Sequence, residues 1–97
     1  MSRESYIEGT CRDWCRDQRW LLLKLWPIMA GIPDRILLRH GGRVDFVEFK
    51  APGKKLEPAQ RFWRDTLTRL GFRVHRVDSV KQFKQLFGGC NEPTEGV

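Results

Sequence analysis

A chain of 97 residues is about one small domain, long enough for a single core and too short for two. Its hydrophobic share of 40% and charged share of 31% exclude a disordered chain, and the apolar run Trp20 to Trp26, broken by Lys24, is too short to span a bilayer. Eighteen Lys and Arg against twelve Asp and Glu leave a formal charge of +6, which suits a polyanionic partner but also an ordinary basic surface.

The N-terminus opens on Ser2, Arg3 and Glu4 with no secretory pattern, so the expected compartment is cytoplasmic. From Glu4 to Arg19, Ile7, Cys11, Trp14 and Cys15 recur at helical spacing, with Ser2 as N-cap. Cys11 and Cys15 share a face of that helix and are expected in the core; with Cys90 they make an odd set without a C-x-x-C, which argues against zinc or a disulfide framework. Trp20 to Trp26 reads as a buried strand and Pro27 to Pro33 as a loop. Asp34 to Arg39 and Val44 to Lys50 read as a hairpin. Ala51 to Glu57 is a Pro, Gly and Lys loop. Pro58 opens a helix carrying Phe62, Trp63, Leu67 and Leu70, closed by Gly71. Phe72 to Val77 is a fourth strand, and Ser79 caps a last helix with Val80, Phe83 and Phe87. The expected fold is an α/β sandwich in the order α-β-β-β-α-β-α, one domain over 1–97 with a flexible tail at 88–97. Its four-stranded sheet is mixed, because the helix after the third strand is a crossover that allows a parallel pair.

The chemistry gathers on the hairpin. Asp34 starts one strand, and Glu48 and Lys50 end the next. Side chains alternate on a strand, so Glu48 and Lys50 face the same way about 7 Å apart. Two carboxylates and an ammonium are what phosphodiester hydrolysis requires: Asp34 and Glu48 offer hard oxygens to Mg²⁺ or Mn²⁺, and Lys50 can orient water or offset developing charge. Taken alone, E-x-K is more often an exposed ion pair. Directly opposed residues of an antiparallel pair share a face, so a two-residue turn at Gly41-Gly42 would set Asp34 opposite Phe49, on the wrong side. A functional site therefore requires a three-residue His40-Gly41-Gly42 loop with Gly42 left-handed, or a backbone irregularity at Asp34.

Gly31-Ile32-Pro33-Asp34-Arg35, Val47-Glu48-Phe49-Lys50-Ala51-Pro52-Gly53-Lys54, Pro58-Ala59-Gln60 and Leu70-Gly71-Phe72 together resemble the virus-type replication-repair nuclease (VRR-NUC) domain of the PD-(D/E)xK superfamily. The resemblance runs from Glu4 to about Phe87, with E-F-K where the family usually has E-L-K. It implies a restriction-endonuclease-like fold, Asp34 and Glu48 as metal ligands, Lys50 as the catalytic lysine and Gln60 as a further site residue. It also implies an acidic residue on the first helix at the metal; Glu8 fits best, with Glu4 one turn away as the alternative. Without the family, Gln60 would be an ordinary surface amide.

Lys54, Lys55, Arg61 and Arg64 follow the active strand and are candidates for holding DNA phosphates, or simply a solvated charged face. Lys24 is either a solvated interruption of its strand or a phosphate contact. Trp14, Trp20, Trp26 and Trp63 are read as core, with stacking on unpaired bases as the functional alternative. The function expected is divalent-metal-dependent DNA endonuclease activity; the family resemblance further implies branched DNA, a four-way junction or a flap, as substrate, phage or mobile-element replication and repair in a bacterial or phage-infected cell as the setting, and a homodimer. The rival is a non-catalytic basic nucleic-acid-binding module.

Overall fold

The structure, a computed structural model, describes residues 2–26 and 28–88. Helix α1 (Arg3–Asp17) starts where the Ser2 hydroxyl accepts the Ser5 backbone N–H at 3.0 Å. It stops two residues short of the expected end, because Arg19 adopts a left-handed φ of 64° and turns the chain into the sheet. Strands β1 (Leu21–Lys24), β2 (Arg35–Arg39) and β3 (Arg43–Phe49) form an antiparallel meander. Helix α2 (Pro58–Arg69) crosses over to β4 (Arg73–Val77), which pairs parallel to β3, and α3 (Val80–Phe87) follows, capped by Ser79. The sheet order is β1-β2-β3-β4. The element order is the expected one. Of the tail expected over 88–97, residues 89–97, Cys90 among them, lie outside the described residues.

Alternation along the strands sorts the sheet into two faces. One face carries Leu22, Leu37, Val47, Phe49 and Val77, which close on Ile7, Cys11 and Cys15 of α1 and on Phe83 and Phe87 of α3. Each large apolar side chain buried there contributes about 1.5–3 kcal/mol relative to exposure. The Cys11 and Cys15 thiols lie in this core, and burial pushes both up to about 12, so they behave as small hydrophobes. The other face, with Val44, Phe46, Glu48 and Lys50, is covered in part by α2.

Two apolar expectations fail. None of α2's residues is fully buried, and Phe62 and Leu70 are 61% and 67% exposed, because a crossover helix over one edge of a small sheet has little to pack against. Of the tryptophans, Trp20 is buried and Trp14 packs on the core, but Trp26 is 78% exposed beyond the end of a strand shorter than its apolar run suggests.

The hairpin register decides the site. Arg39 pairs with Arg43 and Arg35 with Val47, so the loop is His40-Gly41-Gly42 with Gly42 left-handed at φ 72°. One step further along this register, Asp34 comes beside Glu48 on the same face.

Candidate active site

Asp34 sits at a bend immediately before β2, where its backbone carbonyl accepts the Leu25 N–H at 2.9 Å. The loop leading to it is pressed against α2. Gly31 has φ 86°, and a Cβ there would lie 2.4 Å from the Ala59 backbone carbon, so only glycine permits the approach. The Trp63 indole N–H donates to the Ala30 carbonyl at 3.0 Å and pins the same loop one turn along α2. The start of α2 is fixed in turn by a capping box: Gln60 Oε1 accepts the Glu57 N–H at 2.8 Å. The amide nitrogen of Gln60 donates to Glu48 Oε2 at 3.1 Å. Gln60 thus joins the helix cap to a carboxylate on β3 and lies at the site where the family resemblance implies it.

Glu48 is only 7% exposed. Burial, followed by the neighbouring Asp34, pushes its carboxyl up to about 7, against the opposing pull of Lys50 and the Asp34 N–H. Burial also raises Asp34, opposed by Arg35 and the Phe49 N–H. Both carboxyls are raised further by Glu4. A buried acid beside a half-buried one, both raised by burial and by Glu4, forms a site short of positive charge.

A divalent cation fits that deficit. Asp34 Oδ1 is buried without a hydrogen-bond partner, and Gln60 engages one oxygen of Glu48 while leaving Oε1 to other partners. Among the described residues no three His, Cys, Asp or Glu side chains form a ready-made cage. Mg²⁺ is commonly held by one or two carboxylates with waters and substrate phosphate, so the donor set suits it.

The two acids of α1 part company. Glu8 Oε2 accepts from Arg35 Nε at 3.0 Å, Arg35 Nη1 donates to the Asp34 carbonyl at 2.9 Å, and Glu8 also raises the Cys11 thiol. Glu8 therefore turns to the core face and braces Asp34 through Arg35, whereas Glu4 is the α1 acid that acts on Asp34 and Glu48. Sequence reasoning missed this brace. Alternation could have found it, since Arg35 follows Asp34 and must point to the opposite face.

Lys24 is exposed and pairs with Arg35, on the face away from Glu48. Lys54 and Lys55 are exposed on the loop before α2, and Lys55, Arg61 and Arg64 line one groove with Arg76.

A mixed four-stranded sheet with flanking helices and carboxylates gathered at the end of its hairpin defines a restriction-endonuclease-like fold. The VRR-NUC domain matches residues 5–81, and the chain belongs to that nuclease family. A solved structure described as a VRR_NUC domain superposes with a TM-score of 0.83 at 24% identity, over 93% of this chain and 99% of its own. A protein of Acyrthosiphon pisum secondary endosymbiont phage 1, described as "Putative nuclease p44", is 42% identical over 53 residues, 55% of this chain. The match spans 57% of that relative's length.

Proposed function

We propose that this chain is a divalent-metal-dependent DNA endonuclease that hydrolyses phosphodiester bonds in branched DNA, a four-way junction or a flap, during phage or mobile-element replication and repair. The observation that carries the reading is the pair Asp34 and Glu48: side by side on one face, both raised by burial and by Glu4, Glu48 raised further by Asp34, with Asp34 Oδ1 unpartnered. In this reading both are metal ligands, with Glu4 rather than Glu8 as the third acid. Mg²⁺ or Mn²⁺ bound there supplies polarisation of the phosphate and a lowered pKa of water. Lys50, on the face of Glu48, offsets charge that develops on the phosphate oxygens. Gln60 holds Glu48 in one rotamer, and the Arg35 and Glu8 brace holds the Asp34 backbone. Lys24, Lys54, Lys55, Arg61 and Arg64 are the proposed backbone contacts, Lys24 from the opposite face. The phage source of the named relative supports the biological setting.

The test is cleavage of fluorescent duplex, flap and four-way-junction DNA in Mg²⁺, Mn²⁺ or EDTA. Cutting of branched DNA in either metal and none in EDTA is expected. Binding without cutting in any metal would replace the reading with a non-catalytic basic nucleic-acid-binding module.

One centre per chain cuts one strand, so we further propose a two-fold homodimer for a symmetric junction. Support comes from β1, an edge strand with Leu21 and Leu23 55% and 42% exposed, continued by exposed Trp26, Ile28 and Met29. Light scattering should give twice the 11.4 kDa chain mass; a monomer at micromolar protein, with and without DNA, overturns it.

A further inference from the structure

Beside the carboxylates lies a second charged feature of opposite sign. A groove of about 380 Å³ is lined by Lys55, Leu56, Arg61, Arg64, Val74 and Arg76. We propose that it is a subsite for a backbone phosphate of the nucleic-acid strand, separate from the scissile phosphate of the proposed nuclease reaction, on which the assignment of that strand as the one cut rests.

Position is the first argument. Arg76 is the β4 partner of Glu48, so the two lie in one row on one face, with adjacent strands about 4.8 Å apart. Arg64 is four residues beyond Gln60 on α2 and shares its face, and Gln60 touches Glu48. The groove therefore adjoins the carboxylates on the β4 side, and a strand laid across the sheet meets both.

Construction is the second. Arg76 Nε donates to the Lys54 carbonyl at 2.7 Å and its Nη1 pairs with Asp78 at 2.9 Å. Arg61 Nη1 donates to the Leu56 carbonyl at 2.7 Å. Two guanidiniums thus grip the same loop, from β4 and from α2, and are held in place before any ligand arrives. A guanidinium carries five N–H donors, so each keeps donors for an outside oxygen. Arg64 Nε pairs with Asp65 at 3.0 Å. With Asp65 and Asp78 set against four cations, the groove keeps a formal surplus of two positive charges, and among the described residues no acid lines it. Leu56 and Val74 offer an apolar floor suited to a sugar face. The ligand class is a phosphodiester with its sugar, read without regard to base.

The test is fluorescence anisotropy of one labelled four-way junction in EDTA across a range of salt. It compares the parent, the double variant Lys55→Gln with Arg64→Gln, the variant Arg76→Gln, and a control, Arg12→Gln with Lys81→Gln, which removes equal charge from α1 and α3. Thermal melting shows that each variant folds; the double variant keeps the proposal testable if Arg76→Gln unseats the loop. The double variant is expected to weaken binding and to flatten the salt slope by about 0.9 to 1.8, as for one or two phosphates lost, while the control keeps the parent's slope. An unchanged slope in the double variant, or an equal loss in the control, overturns the subsite. Inorganic phosphate at constant ionic strength should displace the junction more readily from the parent than from the double variant, because it competes for a groove that the strand occupies; equal displacement from both overturns the subsite. A parent whose binding depends on the groove but which cuts nothing in Mg²⁺ or Mn²⁺ removes the nuclease reading and keeps the phosphate site. A parent that cuts, with a slope indifferent to Lys55 and Arg64, removes the subsite and keeps the nuclease.

Discussion

Strand β3 buries two carboxylates three residues apart, Asp45 on the α1 and α3 face and Glu48 on the α2 face, and their pKa values move in opposite directions. Asp45 is fully buried yet held down at about 2: burial would raise it, but His75 and Arg39 hydrogen-bond to it, with Arg73 adding charge. Arg39 Nη2 and Arg73 Nε reach it at 3.1 Å and His75 Nε2 at 3.0 Å, while Arg39 also lies over the Trp20 and Phe87 rings. Glu48, with Lys50, the Gln60 amide and the Asp34 N–H for company and the Asp34 carboxylate against it, is pushed up to about 7. Burial is common to both, so partners decide the sign. A carboxylate whose partners come from the fold is structural; one left short of positive charge is available for a ligand that brings it.

The largest effect tests the satisfied side. Asp45→Ala leaves the Arg39 guanidinium buried without its carboxylate, and a loss of about 3–5 kcal/mol in urea unfolding is expected. Adding Arg39→Met should recover part of that loss, because an apolar replacement of the whole pair is often neutral. A folded pKa below the unfolded value of 3.8 means that Asp45's contribution is fully present above that value and is lost as pH falls toward about 2. A loss well under 1 kcal/mol for Asp45→Ala would show that the two faces do not differ as claimed.

Glu48→Gln tests the deficient side. Cleavage should fall by about two to three orders of magnitude, and Lys50→Ala should cost a similar factor, as removal of an electrostatic stabiliser typically does. Stability should move the other way from Asp45→Ala. Between pH 4.5 and about 7 the folded chain holds a proton on Glu48 that the unfolded chain releases, so the parent loses stability as pH rises through that window. The glutamine has no such penalty, and its unfolding midpoint at pH 8 should equal or exceed the parent's. A variant that cuts as fast as the parent removes Glu48 from the chemistry.

This contrast was only half legible in the residues. Asp34, Glu48 and Lys50 stood out because strand alternation and the hairpin register are local, and a three-residue glycine loop could be inferred from the need to bring Asp34 beside Glu48. Gln60 needed the family resemblance, since its contact bridges twelve residues and depends on where α2 lands. The Asp45 cluster was missed, although a lone acid alternating with Val47 and Phe49 was a sign that it faces the core. Its partners Arg73 and His75 arrive from β4 through the parallel crossover, a separation that local patterns do not report. Trp26 and Phe62 were misread for the converse reason: apolar character says that burial is favourable, not that a partner is present.

A third effect concerns the ligand itself. If Asp34 and Glu48 hold the cation, Mn²⁺ at 100 times its dissociation constant should stabilise the parent by about 2.7 kcal/mol, and Glu48→Gln by much less. Melting temperature against Mn²⁺ concentration measures this without any DNA. Equal responses in the two proteins would place the metal elsewhere.

The smallest effect separates the two acids of α1. Glu4 raises both site carboxyls and so contributes to the negative field that a cation would relieve; Glu8 is spent on Arg35 at 3.0 Å, with side-chain exposures of 16% and 13%. Glu4→Gln should therefore weaken Mn²⁺ binding by about 10- to 100-fold, as loss of an outer-shell partner typically does, with little change in the metal-free melting temperature. Glu8→Gln should do the reverse: the neutral amide is a poorer partner for the half-buried Arg35, so the metal-free protein melts earlier while Mn²⁺ affinity stays near the parent's. Calorimetric Mn²⁺ titration and melting of both variants give the two readouts independently. Loss of Mn²⁺ affinity in Glu8→Gln alone would return Glu8 to the metal and require α1 to rotate from the position in which Arg35 now holds it.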